Sequence, residues 1–284
     1  DTSEIGYAKS AKDSAINLAQ LAARNGARSI VCSPFEARSI REAVDASVEI
    51  ITPGVRPIGG DLGDQKRVMT PQEAIAAGCM TATNPDDKFI TAYRDHALAI
   101  AKGVTAKSCM AELYGKATGC SKGKGGSMHF FGLKENFFGG HGLVGAQIGT
   151  GAGLAFAEKY NDTTNAVLCF FGDGAARQGM LHETFNMAMT WKLPVVFCVE
   201  NNQYAMGTSV KRTSNVTNLA DLADSYHMPN MEVDGMNPHD CYKAFKEAAE
   251  RARKGEGPTL LDINTYRYKG HSMSDPQKYR SKDE

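Results

Sequence analysis

The chain lacks several things that whole protein classes depend on. Its seven cysteines include no Cys-x-x-Cys pair, which argues against a zinc site or a disulfide framework and fits a reducing compartment. Neither charge is in excess: 32 Lys+Arg balance 32 Asp+Glu, so no whole-chain field draws it to nucleic acid or an anionic membrane. No apolar run approaches the roughly 20 residues of a membrane-spanning helix. There is no internal repeat and no low-complexity tract. No signal peptide is evident and the first residue is Asp1 rather than Met, so a processed, truncated or partial chain is expected. What remains is 284 residues, enough for one large or two ordinary domains.

Two stretches differ in character. Residues 1–78 read as short βα units. Ser14 to Asn25 has helical apolar spacing with Gly26 as its stop, and Ser29–Cys32 is a short strand. Ser33 and Pro34 predict the start of a helix through Val44, with Glu36 in its first turn. Val48–Thr52 is a second strand, and Thr70-Pro71 opens another helix after a turn-rich loop. From residue 79 onward the pattern is a different α/β alternation.

Within that second stretch, Ala166–Phe171 and Pro194–Glu200 are continuous apolar runs, as expected of parallel strands buried on both faces. Gly172-Asp173-Gly174 ends the first and Asn201-Asn202 ends the second, 28 positions after Asp173. Between them, Gln178 to Lys192 has helix character. A right-handed crossover brings both strand ends to the same sheet edge. Asp173 offers a hard carboxylate oxygen and Asn202 an amide oxygen. Mg²⁺ wants six oxygens and readily takes some from phosphate and water. The pattern therefore predicts a Mg²⁺–diphosphate site.

Other features are ambiguous as sequence. Lys122-Gly123-Lys124-Gly125-Gly126 is either a plain loop or a ligand loop. His129 and His141 sit in glycine-rich loops, and His141 is either a cofactor or substrate contact or a structural loop histidine. Gly145, Gly149 and Gly153 recur every four residues in an apolar helix, predicting tight helix packing or a subunit interface. Met187, Met189 and Trp191 read as core.

The spacing Gly172-Asp173-Gly174…Asn201-Asn202 matches the thiamine diphosphate-binding motif. Residues from about 72 to 284 closely resemble the α subunit of the E1 component of pyruvate dehydrogenase. The matches are Ile90-Thr-Ala-Tyr-Arg-Asp-His96, Ser121-Lys-Gly-Lys-Gly-Gly-Ser-Met-His129, Gly139-Gly-His-Gly-Leu-Val-Gly-Ala-Gln147, Glu200-Asn-Asn-Gln-Tyr-Ala-Met-Gly-Thr-Ser209 and Thr265-Tyr-Arg-Tyr-Lys-Gly-His-Ser-Met-Ser-Asp-Pro276. The resemblance implies an α/β thiamine diphosphate-binding fold, with a central parallel sheet flanked by helices. It implies Mg²⁺ held by Asp173, Asn202 and the Tyr204 carbonyl, with Gly174 and Ala175 beside the diphosphate. Tyr93 and Arg94 would hold the phosphate end, and Gly142 and Val144 would line the pocket. His271 would sit on an active-site loop and Arg267 beside it would attract carboxylate or phosphate, both in catalytic roles. Ser272 and Ser274 occupy the family's phosphorylation loop.

The activity implied is oxidative decarboxylation of pyruvate with acetyl transfer to a lipoyl domain of E2. An E1 β subunit would complete a heterotetramer. No nucleic acid or membrane partner is expected. The compartment would be the cytoplasm in a bacterium or the mitochondrial matrix in a eukaryote. Branched-chain 2-oxo acid and acetoin dehydrogenase E1 α chains are the alternatives.

Residues 1–78 instead resemble the C-terminal part of orotidine 5′-phosphate decarboxylase, a (β/α)8 barrel. The matching segments are Ile30-Val-Cys-Ser-Pro34, Thr52-Pro-Gly-Val-Arg-Pro57 and Asp64-Gln-Lys-Arg-Val-Met-Thr-Pro71. That resemblance implies a former phosphate role for Arg56 and Gln65, while the family's catalytic Lys/Asp cluster is absent. The expectation is a chimaera: a non-functional partial barrel at 1–78, joined near 72–80 to an E1 α-like domain at 79–284 that is truncated at both ends and lacks the family's substrate-contacting histidine segment. An inactive chimaera, or residual decarboxylase activity, is the alternative from another class.

Overall fold

Local capping and apolar spacing set the first elements. The computed structural model describes residues 10–33, 35–51, 71–94 and 96–281, so Arg56 and Gln65 lie outside the described residues. Helix α1 (Ala11–Arg24) starts where Ser10 accepts the Asp13 N–H at 3.1 Å. Strands β1 (Ser29–Val31) and β2 (Glu49–Ile51) pair in parallel, with α2 (Ala37–Ala43) between them. Helix α2 begins later than the Ser33-Pro34 signal predicts: its N-cap is Glu36, with no side-chain cap bond, and Ser33 Oγ instead accepts the Phe35 N–H at 3.4 Å.

Helix α3 (Pro71–Ala82) opens the larger unit. It is followed by β3 (Lys88–Ala92), α4 (His96–Lys102), α5 (Ala106–Leu113), β4 (Phe137–His141) and α6 (Ala146–Tyr160). Next come β5 (Val167–Gly172), α7 (Gly179–Thr190), β6 (Val195–Asn201), the hairpin β7 (Tyr204–Ala205) and β8 (Thr208–Ser209), and the short α8 (Val210–Thr213). Strand β9 (Asn230–Asp234), α9 (Pro238–Arg253) and β10 (Thr259–Asn264) complete it. Six strands form one parallel sheet in the order β4-β3-β5-β6-β10-β9. This is the α/β architecture expected from the sequence.

The sheet is covered on both faces because adjacent residues of its strands point opposite ways. Phe89, Phe170 and Phe245 form a chain of rings on the face under α3 and α9. Phe171, Phe185 and Phe197 lie in the core on the other face, under α6 and α7. Close approach of α6 to the sheet depends on Gly151, where a Cβ would stand 2.8 Å from Cys169 Sγ. The predicted glycine stripe behaves differently. Gly145 caps α6 with φ +88°, Gly149 meets Met180 of α7, and Gly153 faces open space. Met187 and Trp191, read as core, are 45% and 44% exposed, because α7 buries only the face toward the sheet. Met189 packs partly buried against the core.

Candidate functional site

Five strands of the sheet deliver the predicted site residues, all from their carboxyl ends. Tyr93 and Arg94 follow β3, Gly142 and Val144 follow β4, and Asp173, Gly174 and Ala175 follow β5. Asn202 and Tyr204 follow β6, and Arg267 and His271 follow β10. Strand β3 has β4 on one side and β5 on the other, so the chain reverses its direction of sheet growth there. Ligands of open parallel sheets bind in the crevice at such a switch point.

The structure ties Tyr93, Arg94, His271, Arg267, Tyr204 and Asp173 into one electrostatic cluster. The Arg94 guanidinium donates to the His271 carbonyl, and the Tyr93 and His271 rings stand edge to face with centroids 6.3 Å apart. Arg267 donates to the carbonyls of Tyr204 and Met206. Asp275 shapes the His271 loop, accepting the His271 N–H at 2.6 Å, the Gln277 N–H at 2.9 Å and the Tyr279 hydroxyl at 2.8 Å. Partial burial holds the His271 imidazole below its ordinary pKa, and the nearby Arg94 and Arg267 charges push it the same way. Ser272 is exposed, with its Oγ 3.0 Å from Ser274 Oγ.

Asp173 is 4% exposed, and burial pushes its carboxyl up to about 6, despite the nearby guanidiniums of Arg267 and Arg177. A buried carboxylate this costly to ionise suits a cation ligand. Gly174 leaves room in the turn: a Cβ there would press within 2.6 Å of Ala205 Cβ. Asn202 Oδ1 accepts the Tyr204 N–H at 3.2 Å, fixing the amide, and the Tyr204 carbonyl accepts from the Arg267 guanidinium. One carboxylate, one amide oxygen and one backbone carbonyl are a donor set that fits Mg²⁺ with phosphate and water completing the shell.

The two asparagines divide their work. Asn201 is fully buried, donates to Asp262 Oδ1 at 2.9 Å and accepts from the Gln203 N–H at 3.1 Å, while its carbonyl accepts the Thr265 N–H at 2.8 Å. It pins the β6 and β10 loops to each other. Gly142 and Val144 are exposed at the rim. His141 is half-buried, with Nε2 3.2 Å from the Phe138 carbonyl and its ring edge-on to Phe131, and burial lowers its pKa. Three groups escaped the sequence reading. Arg177, on the turn after Ala175, has Nη2 buried without a hydrogen-bond partner among the described residues. Asp262 accepts the Leu219 N–H at 2.9 Å as well as the Asn201 amide. Glu112 organises the glycine-rich loop. The Gly-Asp-Gly-Ala-Ala-Arg run carried a signal for Arg177, since a basic residue on that turn must lie near Asp173.

Comparison with known proteins places this geometry. The family described as "Dehydrogenase E1 component" matches residues 66–284, and "Orotidine 5'-phosphate decarboxylase / HUMPS family" matches residues 1–83. The chain is 54% identical over 213 residues to the pyruvate dehydrogenase E1 component subunit alpha of Rhizobium meliloti, covering 75% of this chain and 61% of that one. It is 50% identical over 225 residues to the same-named subunit of Rickettsia felis, covering 79% and 69%. It is 52% identical over 216 residues to the mitochondrial one of Dictyostelium discoideum, covering 76% and 56%. Against solved structures, it superposes on a transketolase from Campylobacter jejuni with a TM-score of 0.53 at 17% identity, over 67% of this chain and 32% of that one, a likeness of fold. The chain thus spans 56–69% of the length of these curated relatives. With the match running from residue 66 to residue 284 across the whole six-stranded sheet, the chain belongs to the dehydrogenase E1 component family.

Proposed function

We propose that the chain acts as the α subunit of a pyruvate dehydrogenase E1 component, holding the diphosphate half of a thiamine diphosphate–Mg²⁺ site. The observation that carries this reading is the buried Asp173 at a sheet edge where four other strand ends bring Tyr93, Gly142, Asn202 and Arg267. Asp173, Asn202 and the Tyr204 carbonyl hold Mg²⁺. Gly174 and Ala175 lie beside the diphosphate, and Arg94 with Tyr93 fixes its end through forked, charge-assisted donors. Gly142 and Val144 line the pocket. When bound, the cofactor supplies the electron sink for loss of CO₂ from a 2-oxo acid. His271, whose pKa is lowered by burial and then by Arg94 and Arg267, contributes its imidazole to the site. Arg267 attracts the substrate carboxylate.

The partners proposed are an E1 β subunit in a heterotetramer and a lipoyl domain of E2, with pyruvate as substrate. An exposed apolar stripe supports a partner chain: Phe156 and Tyr160 on α6 lie beside Trp191, and Met180 and Met187 extend it along α7. The cytoplasm of a bacterium or the mitochondrial matrix is the compartment. The segment 1–78 is proposed to be a non-functional barrel remnant joined to the E1 unit of 79–284 within α3. In a direct test, the chain is mixed with an E1 β chain and Mg²⁺-dependent thiamine diphosphate binding is followed by calorimetry. Asp173→Ala is expected to weaken binding by more than the roughly 10–100-fold typical of outer partners of a metal site. Unchanged binding would remove the metal assignment.

A further inference from the structure

The segment Ser121–His129 has the composition of an anion cradle, with small residues that let successive backbone N–H groups turn inward. Lys122, Gly123 and Gly126 do adopt positive φ values of 58°, 77° and 57°, and the N–H groups do converge. They converge on an anion that belongs to the protein. The Glu112 carboxylate, fully buried near the end of α5, accepts through Oε2 from the N–H groups of Ser121 and Gly123, at 2.8 Å each. Through Oε1 it accepts from those of Gly125 and Gly126, at 2.6 and 3.3 Å. Burial opposes its ionisation, but the four donors together outweigh burial and hold the carboxyl below its ordinary range.

The loop bears on the candidate site from two sides. Ser121 Oγ donates to the His129 carbonyl at 2.5 Å, closing the loop on itself. His129 Nδ1 lies 2.9 Å from the Gly140 carbonyl, and a Cβ on Gly142 would stand 2.9 Å from His129 Cε1. On the other side, His96 Nε2 is 2.6 Å from the Ser127 carbonyl, at the start of the helix that follows Tyr93 and Arg94. The loop is therefore a buttress between the β4 end and the α4 start.

We infer that Glu112 is a positioning residue of the cofactor pocket: its carboxylate fills the anion nest of residues 121–126 and, through that loop and His129, sets where Gly142 stands. The loop then buttresses the pocket and does not itself take up phosphate. The functional half of this inference rests on the thiamine diphosphate reading of the site.

The test uses the full chain in two steps. First, hydrogen exchange is measured at the amides of Ser121, Gly123, Gly125 and Gly126 without cofactor. Glu112→Ala is expected to lower their protection at least about tenfold, and added formate, a carboxylate small enough for the vacated space, to restore it. Glu112→Gln keeps the volume but turns a donor group toward the nest, so it is expected to lose protection without formate rescue. Second, Mg²⁺-dependent thiamine diphosphate affinity is measured with an E1 β chain present. It is expected to fall about tenfold in both variants and to recover with formate only in Glu112→Ala. Wild-type protection in Glu112→Gln, or indifference of Glu112→Ala to formate, overturns the inference. Loss of loop protection with unchanged affinity overturns the positioning role and leaves the site reading standing. If the unaltered chain binds no thiamine diphosphate, the site reading falls, and the exchange data alone decide whether Glu112 holds the loop.

Discussion

Residues 10–51 and residues 71–281 use the same local grammar of short apolar strand, helix and parallel return, yet they end in different physical states. In the first, β1 and β2 are three residues each, with only the central residue of each partly covered, and Leu18, Leu21, Val31 and Ile51 are exposed. In the second, all five residues Val167–Phe171 of β5 are buried. The difference is one of layers. Among the described residues β1 and β2 pair only with each other, whereas the inner strands of the six-stranded sheet, with helices on both sides, are buried along most of their length. The same βα unit is stable in proportion to the neighbours it is given. With two short strands and two helices, residues 10–51 keep the local pattern and build only a small core of Ala19, Ala37, Ile40 and Val48.

The largest expected effect breaks the larger unit. Phe170→Ala removes the middle ring of the Phe89–Phe170–Phe245 chain and should cost about 3–5 kcal/mol in urea unfolding monitored by circular dichroism. Ile40→Ala, at the best-buried side chain of α2, should cost about 2–5 kcal/mol, but locally. Hydrogen exchange should then rise in residues 10–51 while β5 and β6 stay protected. Uniform loss across both units would show that they unfold together.

Overpacking offers a sharper contrast. Gly151→Ala drives a Cβ against Cys169 Sγ and should cost about 1–3 kcal/mol, read as a shift in melting temperature. Acid should also separate the regions. Glu158 is buried, and although burial favours its protonation, hydrogen bonds from Lys88, Thr163 and Asn165 hold its carboxyl below the ordinary value. A carboxyl with a folded pKa below its unfolded one stabilises above the unfolded value and loses that contribution as pH falls through the folded one. Glu112 acts in the same direction. Exchange protection at β3–β5 should therefore fall as pH drops below about 4, and Glu158→Gln should flatten that fall. The smallest effect belongs to the surface of α1: Leu21→Ser, at a side chain already 58% exposed, should change stability by no more than about 0.5 kcal/mol.

Much of the architecture was legible in advance. Strands β5 and β6 are uninterrupted apolar runs in the sequence, and the crossover between them places Asp173 and Asn202 on one edge. Tyr93, Arg94, Gly142 and His271 carry no such signal. They were reached through family resemblance, because a tyrosine–arginine pair or a loop histidine has nothing in its own spacing that marks a ligand. Trp191 and Met187 were misread because hydrophobicity alone does not say which side of a helix meets the sheet. Glu112 was invisible for a different reason. It lies on a helix 9 to 14 residues before the amides it binds, and only the winding of the loop through positive φ values brings them together.

By itself, the sequence determined the class of fold, the two central strands and the identity of the metal-donor candidates, because burial patterns and ligand chemistry are properties of local residue order. The tertiary structure alone decided that five strand ends share one edge, that Asn201 pins loops while Asn202 remains half-buried beside Tyr204, and that the glycine-rich loop closes around Glu112. Those outcomes depend on which hydrogen-bond partner reaches a buried polar group first, and that is settled by packing between segments distant in the chain.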